Sequence, residues 1–464
     1  MSIARIKARN LRPGNNQEFN FDSTRIFPFK RFAKTVAIAG ANYGDEGKGK
    51  ISDYIASLLK SANLKVLSAR GQGSGNAGHT VQIGENKYHF HYLPSAGFTS
   101  DLILLGGLML IDPIRVLKEA LQLPPEQRNK IVIAERAALV TNVERKMDKW
   151  CEIKRNELEM SLIGTTGSGV GPGAGNRGYR FHMTFADALN CKDFLEFKNQ
   201  YLKNPLLPEE VKAEMTDEYA AEMFEAIHQL NVVDSVALIN KCKAEGDWAL
   251  VLEVSQAMGL DPTWGHEGHN VTSTPTNIIG AAYGLGLSMA DVPDLSIVVA
   301  KVYESKVGGG THPTKFVDSE HFAFELINTF VPERGVTTGR VRDLGWFDAV
   351  LTRYALSLNG GAYICVNCMD VILEMAKILD KIPICVTSRH KETGEEEYDY
   401  KYWVSQYDPV FEFVPVENKS DDEIIKDYIS AIERYTGGKV IAYGIGPKRE
   451  DLVLLEDIEG ILGL

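Results

Sequence analysis

The sequence predicts an α/β fold, a large central and mainly parallel sheet flanked by helices, on three observations. Seven apolar runs of four to six residues recur along the chain, at 35–40, 64–68, 131–134, 249–253, 295–300, 363–366 and 439–443. Runs so short and continuous suit strands buried on both faces, and the helix-like stretches and Gly-rich loops between them suit crossover connections. The first run opens into a glycine-rich loop and then a helix-like segment, the usual start of a ligand-binding α/β unit. Finally, 464 residues, 44% apolar and 24% charged, are enough to bury a core of that size.

Taken in order, residues 1–34 contain Pro13-Gly-Asn-Asn16 and more basic than acidic residues. They read as an N-terminal extension, solvated or packed, in preference to a targeting peptide. Residues 35–464 read as one folded domain. Within it, about 193–245 is a charge-rich helical insertion whose Met215, Tyr219, Met223 and Ile227 fall at helical spacing and form a core-facing stripe. The segment Ser388–Glu397 reads as a polar hairpin or loop.

The net charge of −12 argues against a nucleic-acid partner, because such binding rests on clustered Lys and Arg. Six cysteines (Cys151, Cys191, Cys242, Cys365, Cys368, Cys385) are too sparse for a disulfide framework. The start lacks a secretory apolar core, and no apolar run approaches the roughly 20 residues that cross a bilayer. A cytoplasmic protein with no membrane partner is expected.

After the first strand comes Gly40-Ala-Asn-Tyr-Gly-Asp-Glu-Gly-Lys-Gly-Lys50, leading into Ile51–Lys60, which reads as helix. Strand, glycine-rich loop and helix N-terminus together aim backbone N–H groups and a helix dipole at phosphate. The spacing is longer than a Walker loop, and no Ser or Thr follows the lysine, so this is not an ordinary P-loop ATPase. Carboxylates sit badly beside phosphates unless they bind a metal or move a proton, so Asp45-Glu46 inside the loop points to chemistry.

The stretch Gly44-Asp-Glu-Gly-Lys-Gly-Lys50 closely resembles the N-terminal signature of adenylosuccinate synthetases, and further stretches resemble that family in order. They are Gly75-Asn-Ala-Gly-His-Thr80, Gly164-Thr-Thr-Gly-Ser-Gly-Val-Gly-Pro172, Glu253-Val-Ser-Gln256 with Val271-Thr-Ser273, Gly335-Val-Thr-Thr-Gly-Arg-Val-Arg342 with Gly345-Trp346, and Gly446-Pro447. They span residues 35 to about 450.

The resemblance implies a P-loop-related adenylosuccinate synthetase-like fold, a homodimer, and GTP-dependent ligation of L-aspartate to the 6-position of IMP through a 6-phosphoryl intermediate. It implies that Asp45 takes the purine N1 proton, that His79 donates to the transferring oxygen, and that Lys48 neutralises phosphate charge. Mg²⁺ would rest on the Asp45 side chain and the Gly78 carbonyl, oxygen donors suited to a hard cation. GTP would be held by Gly44, Glu46, Gly47, Lys48, Gly49, Lys50, His79, Thr80, Asp370, Gly446 and Pro447. The purine monophosphate would be held by Asn76, Thr166, Gln256, Thr272 and Arg340, and L-aspartate by Thr337, Thr338, Arg340 and Arg342, whose guanidinium forks match carboxylates. Arg177 or Arg180 would reach a phosphate across the subunit interface, and both remain candidates.

Departures from the family pattern are Cys368 for a lysine two residues before Asp370, Ser168 for an arginine, Lys306 for an arginine, and Val341 between the two loop arginines. They keep a second reading open, the viral branch that uses dGMP and sometimes ATP. That branch tends to replace the loop aspartate, whereas Asp45 is present, so IMP is preferred. A non-catalytic GTP-binding relative is the third reading, and the intact amino-acid loop weighs against it.

Simpler roles are expected elsewhere. His89 and His91 alternate on a strand and read as structural. His266-Glu-Gly-His269 has the wrong spacing for a zinc helix, and Cys365-Val-Asn-Cys368 lacks a second cysteine pair and reads as packing or loop.

Overall fold

The computed structural model describes residues 30–331, 333–335 and 339–464, so most of the expected N-terminal extension lies outside the described residues. Packing begins a few residues before the expected boundary. Phe32 is buried, Lys30 donates to the Ala244 carbonyl, and Ala33 N–H bonds to Trp248.

Ten strands form the central sheet. They are β1 (Lys34–Gly40), β2 (Lys65–Arg70), β3 (Leu102–Leu105), β4 (Ile131–Ala134), β5 (Val232–Val233), β6 (Trp248–Glu253), β7 (Leu295–Lys301), β8 (Tyr363–Asn367), β9 (Lys439–Gly444) and β10 (Leu452–Leu454). Their spatial order is β10-β9-β8-β7-β1-β6-β2-β3-β4-β5, and only the edge pair β9–β10 is antiparallel. All seven apolar runs lie on these strands. β3, β5 and β10 were not anticipated: β3 merges into the apolar stretch after it, and strands of two or three residues are too short to show a period.

The alternation of β1 explains the uninterrupted apolar runs. Val36 and Ile38 pack with Ile51 and Ile55 of the helix on one face, while Ala37 and Ala39 pack with Ile239, Cys242, Ile278 and Leu285 on the other. Both faces are covered by helices, so every position along the strand favours an apolar side chain.

The helix after β1, α1 (Lys48–Ser61), starts three residues earlier than the sequence suggests. Gly47 has φ 85 and turns the chain straight into the helix, a left-handed conformation that glycine adopts without a Cβ clash. The N–H groups of Lys48, Gly49 and Lys50 therefore form the first turn, at the positive end of the helix dipole.

The chain enters in the middle of the sheet at β1 and builds β2 to β5 outward on one side. It returns to insert β6 between β1 and β2, and then lays β7 to β10 on the other side. β1 stands where the two halves diverge, and the crevice at the carboxyl ends of β1, β6 and β7 is where α/β sheets gather ligands.

The 193–245 segment is helical at Phe194–Tyr201, Glu209–Lys212, Asp217–Gln229 and Ser235–Glu245, interrupted by β5. Met215, Met223 and Ile227 are buried with Phe197, and Tyr219 packs partly buried against them. Strands Tyr303–Lys306, Asp343–Asp348, Lys381–His390, Glu396–Glu397 and Tyr407–Pro415 form a second sheet, and the Ser388–Glu397 segment is a hairpin in it. Among the described residues no helix is long and apolar enough to cross a membrane.

Candidate active site

The loop after β1 is held from inside. Glu46 is buried and accepts hydrogen bonds from the Gly44 N–H (2.7 Å) and Asn42 N–H (3.2 Å), and pairs with Lys48 at 2.7 Å. Asn367, at the end of β8, donates to the Glu46 carbonyl at 2.7 Å. Of the loop's two carboxylates, Glu46 therefore closes the turn, while Asp45, at φ 61, is exposed and faces outward. Arg342 forks between Oδ2 of Asp45 and Glu333.

His79 begins the strand His79–Ile83, which pairs with Asn86–Phe90. Its Nε2 donates to the Leu93 carbonyl at 2.8 Å and lies 3.8 Å from Glu253, the last residue of β6. Burial holds the imidazole near pKa 4, so it is neutral at physiological pH. The Glu253 carboxyl lies below its ordinary range. Burial alone would raise it, but the charge of Arg70 and the hydrogen bond from the Ser95 N–H outweigh burial. His89 and His91, read as structural, bond Thr80 and Glu119.

On one side of this centre three of the motif loops converge. Asn76 donates to Thr272 Oγ1 at 3.4 Å, Thr166 donates to Ser168, and Ser168 lies 3.5 Å from the Gly75 carbonyl. Arg340 bonds the carbonyls of Gly164 (2.7 Å) and Thr165 (3.1 Å), joining the arginine loop to the threonine loop. Gln256 sits at φ 61 just past β6, and its buried Oε1 has no hydrogen-bond partner among the described residues. Thr337 and Thr338 lie outside the described residues.

On the other side, Lys50 donates to the Gly446 carbonyl at 2.8 Å, next to Pro447. Burial lowers the Lys50 pKa, only partly offset by Asp451 and Asp370. Asp370 stands in the first turn of the helix Met369–Met375, with a buried Oδ1 that has no partner among the described residues. Gly49, in the first turn of α1, packs against Ser95, and Gly78 immediately precedes His79.

The two arginine candidates separate. Arg177 is committed to the Gly107 carbonyl at 3.0 Å within its own chain, whereas Arg180 is exposed at the end of the helix Val170–Tyr179 with φ 66. The thiols of Cys365 and Cys368 are pushed up by burial to about 12 and about 11, so both stay protonated. His266 spends both ring nitrogens on the hydroxyls of Tyr43 and Tyr400, and His269 is exposed.

Several supporting residues went unnoticed in the sequence. Glu253 stands behind His79, Glu333 anchors Arg342 together with Lys301 (2.8 Å) and Tyr303, and Asp148 holds the threonine loop through Thr165 and Gly169. Of these only Glu253 lay inside a motif; the others are single charged residues whose role arises from long-range proximity.

The phosphate loop, the opposing arginine loop and the ligand crevice at the switch point define a nucleotide-binding α/β enzyme. The pattern that defines adenylosuccinate synthetases matches residues 37–453. The adenylosuccinate synthetases of Caldicellulosiruptor bescii and Carboxydothermus hydrogenoformans are each 32% identical, over 90% and 91% of this chain and 98% and 99% of theirs. Fully ligated adenylosuccinate synthetase from Plasmodium falciparum matches with a TM-score of 0.78 at 27% identity, over 91% of this chain and 99% of that one. The cyanophage S-2L succinoaminodeoxyadenylate synthetase, bound to dGMP and dATP, shares the fold with a TM-score of 0.58 at 18% identity, over 93% of this chain and 99% of that one. The chain belongs to the adenylosuccinate synthetase family of purine-synthesis ligases.

Proposed function

We propose that this protein joins L-aspartate to the 6-position of IMP at the expense of GTP, through a 6-phosphoryl intermediate. The observation that carries the reading is the meeting of Asp45 with Arg342, which brings a carboxylate able to take a proton and a guanidinium able to take a carboxylate into one crevice. The carbonyl oxygen of a hypoxanthine ring is a poor leaving group. Asp45 takes the N1 proton, so that O6 attacks the γ-phosphate of GTP, and GDP departs. His79 stabilises the transferring group by turning its Nε2–H from the Leu93 carbonyl to the transferring oxygen, and the L-aspartate amine then displaces phosphate from C6.

Asn76, Thr166, Gln256 and Thr272 hold the acceptor, and Gln256 brings a buried amide oxygen still open to a donor. Arg340 and Arg342, with Thr337 and Thr338, take the two carboxylates of L-aspartate. Gly44, Gly47, the first turn of α1 and Lys48 take the phosphates, and Thr80 lies on the adjoining strand. Asp370 accepts from guanine N1–H and the 2-amino group, with Lys50, Gly446 and Pro447 beside the base. Arg342 engages only Oδ2 of Asp45, and the exposed carboxylate suits a hard cation, so Asp45 and the Gly78 carbonyl would hold Mg²⁺. Bound there, the ion would neutralise charge on the phosphate oxygens. The protein acts in the cytoplasm as a homodimer, with Arg180, the exposed arginine, reaching the partner's acceptor phosphate.

Asp45 supports IMP over dGMP as acceptor. The test is a matrix assay with Mg²⁺ and L-aspartate, crossing IMP, GMP and dGMP against GTP, ATP and dATP, with the succino-product detected by mass. Product from IMP with GTP is expected. Product from dGMP alone would move the protein to the viral branch, and no product under any pairing would overturn the ligase reading.

A further inference from the structure

Tyr43 stands two residues before Asp45 and its side chain is caged beneath the phosphate loop, 6% exposed. Its hydroxyl meets Nε2 of His266, and Nδ1 of the same ring meets the hydroxyl of Tyr400. His266 is itself 4% exposed, and its ring lies 5.1 Å from that of Tyr43 and 5.7 Å, nearly parallel, from that of Tyr400. Tyr400 stacks in turn on Tyr354 at 4.4 Å, which belongs to the helix Ala349–Asn359.

Three elements far apart in sequence are tied at this point. His266 opens the segment that continues to Asn270 and Thr272, on the acceptor side of the crevice. Tyr400 belongs to an aromatic strap that also holds this segment, since Gly268 N–H donates to Tyr402 and Ser405 N–H donates to Glu267 at 3.0 Å. Glu267 takes a second bond from Thr311 at 3.0 Å. Tyr43 belongs to the donor side.

We propose that the Tyr43–His266–Tyr400 relay is a positioning device that sets the distance between the phosphate loop and the acceptor loop. Phosphoryl transfer between two bound nucleotides depends on that distance, and a displacement of about 1 Å costs on the order of 100-fold in rate. A neutral imidazole suits the role because it offers one N–H and one lone pair, so each tyrosine hydroxyl finds a complementary partner. Burial, with Lys306 and His312 nearby, keeps His266 neutral by holding its pKa at about 3. None of the three residues touches the reacting atoms in this scheme.

The inference rests on the ligase reading above, and one experiment separates the two. Wild-type protein, His266→Phe and His266→Gln are purified together and assayed with IMP, Mg²⁺, GTP and L-aspartate, with thermal melts in parallel. Phenylalanine keeps the ring stack and removes both hydrogen bonds, whereas glutamine can still accept and donate. In His266→Phe, kcat is expected to fall roughly 10- to 100-fold while the KM for GTP and for IMP changes little. His266→Gln should recover most of that loss.

A His266→Phe protein with wild-type kcat overturns the inference and leaves the ligase reading standing. So does a loss of activity that follows the loss of folded protein, or one that glutamine does not relieve. Tyr400→Phe, which cuts the relay at its far end, guards against a folding failure at position 266 and should lower kcat in the same direction. Wild-type protein without activity in the full substrate matrix overturns the ligase reading, and the inference with it.

Discussion

Asp45 and His79 reach one crevice from the loops after β1 and β2, one exposed and ion-paired, the other half-buried and neutral. Neither supports the core, so Asp45→Ala and His79→Ala should leave the melting temperature within a few degrees of wild type. Turnover should fall roughly 100- to 10,000-fold in each; product mass and a thermal melt measure both quantities. Glu333 behaves differently because its carboxylate is buried among Lys301, Arg342 and Tyr303. Burial alone would raise its pKa, but Lys301 and Arg342 outweigh it and hold the group at about 2. A folded-state pKa below the unfolded value means that the stabilisation is complete above about 4.5 and is lost as pH falls through about 2. Urea melts between pH 5 and 2.5 should show wild type losing up to roughly 3 kcal/mol from this group. Glu333→Gln should be less stable at pH 7 and should lack that component of the acid slope. At this scale the sequence disclosed the residues that sit inside motifs, and it hid Glu333 and Asp148, whose partners stand 9 to 32 residues away, beyond the reach of any helix or strand period.

The decisive element is the strand-loop-helix unit of β1 and α1. Gly47 turns the chain at φ 85, and a Cβ there would stand 2.6 Å from Nδ2 of Asn367, which is committed to the Glu46 carbonyl. Gly47→Ala therefore meets a backbone strain of about 1 to 2 kcal/mol and displaces the side chain that closes the loop. The expected outcome is a KM for GTP at least tenfold higher with a smaller change in the KM for L-aspartate, read from initial rates. The unit was legible because its glycines and its apolar run are local signals. The onset of the helix at Lys48 was less so, since Lys48, Gly49 and Lys50 carry no apolar period. Strands β5 and β10 escaped for a related reason: they are edge strands that exist through pairing with β4 and β9.

At the scale of the whole molecule, the site proposed to be shared between two chains should show complementation. Arg180 is exposed beside Tyr179 (66% exposed), and Tyr283 of the helix Ile278–Leu285 is 74% exposed, an apolar surface suited to a second copy. Arg180→Leu and Asp45→Ala proteins, each inactive alone, should regain activity when mixed and allowed to exchange, because the mixed dimer holds one site with both residues intact. Sedimentation should show one dimeric species throughout. Absence of recovery in a mixed dimer would place Arg180 outside the partner's site. The sequence by itself determined the fold class, the seven principal strands, the phosphate loop and the family, because apolar period, glycine spacing and motif order are written in neighbouring residues. Only the tertiary structure decided that Glu46 faces inward and Asp45 outward, that Arg177 is spent on its own chain while Arg180 is exposed, and that Tyr43, His266 and Tyr400 meet. Those outcomes depend on where one element passes another, and hydrogen-bond partners 70 to 321 residues apart leave no trace in local pattern.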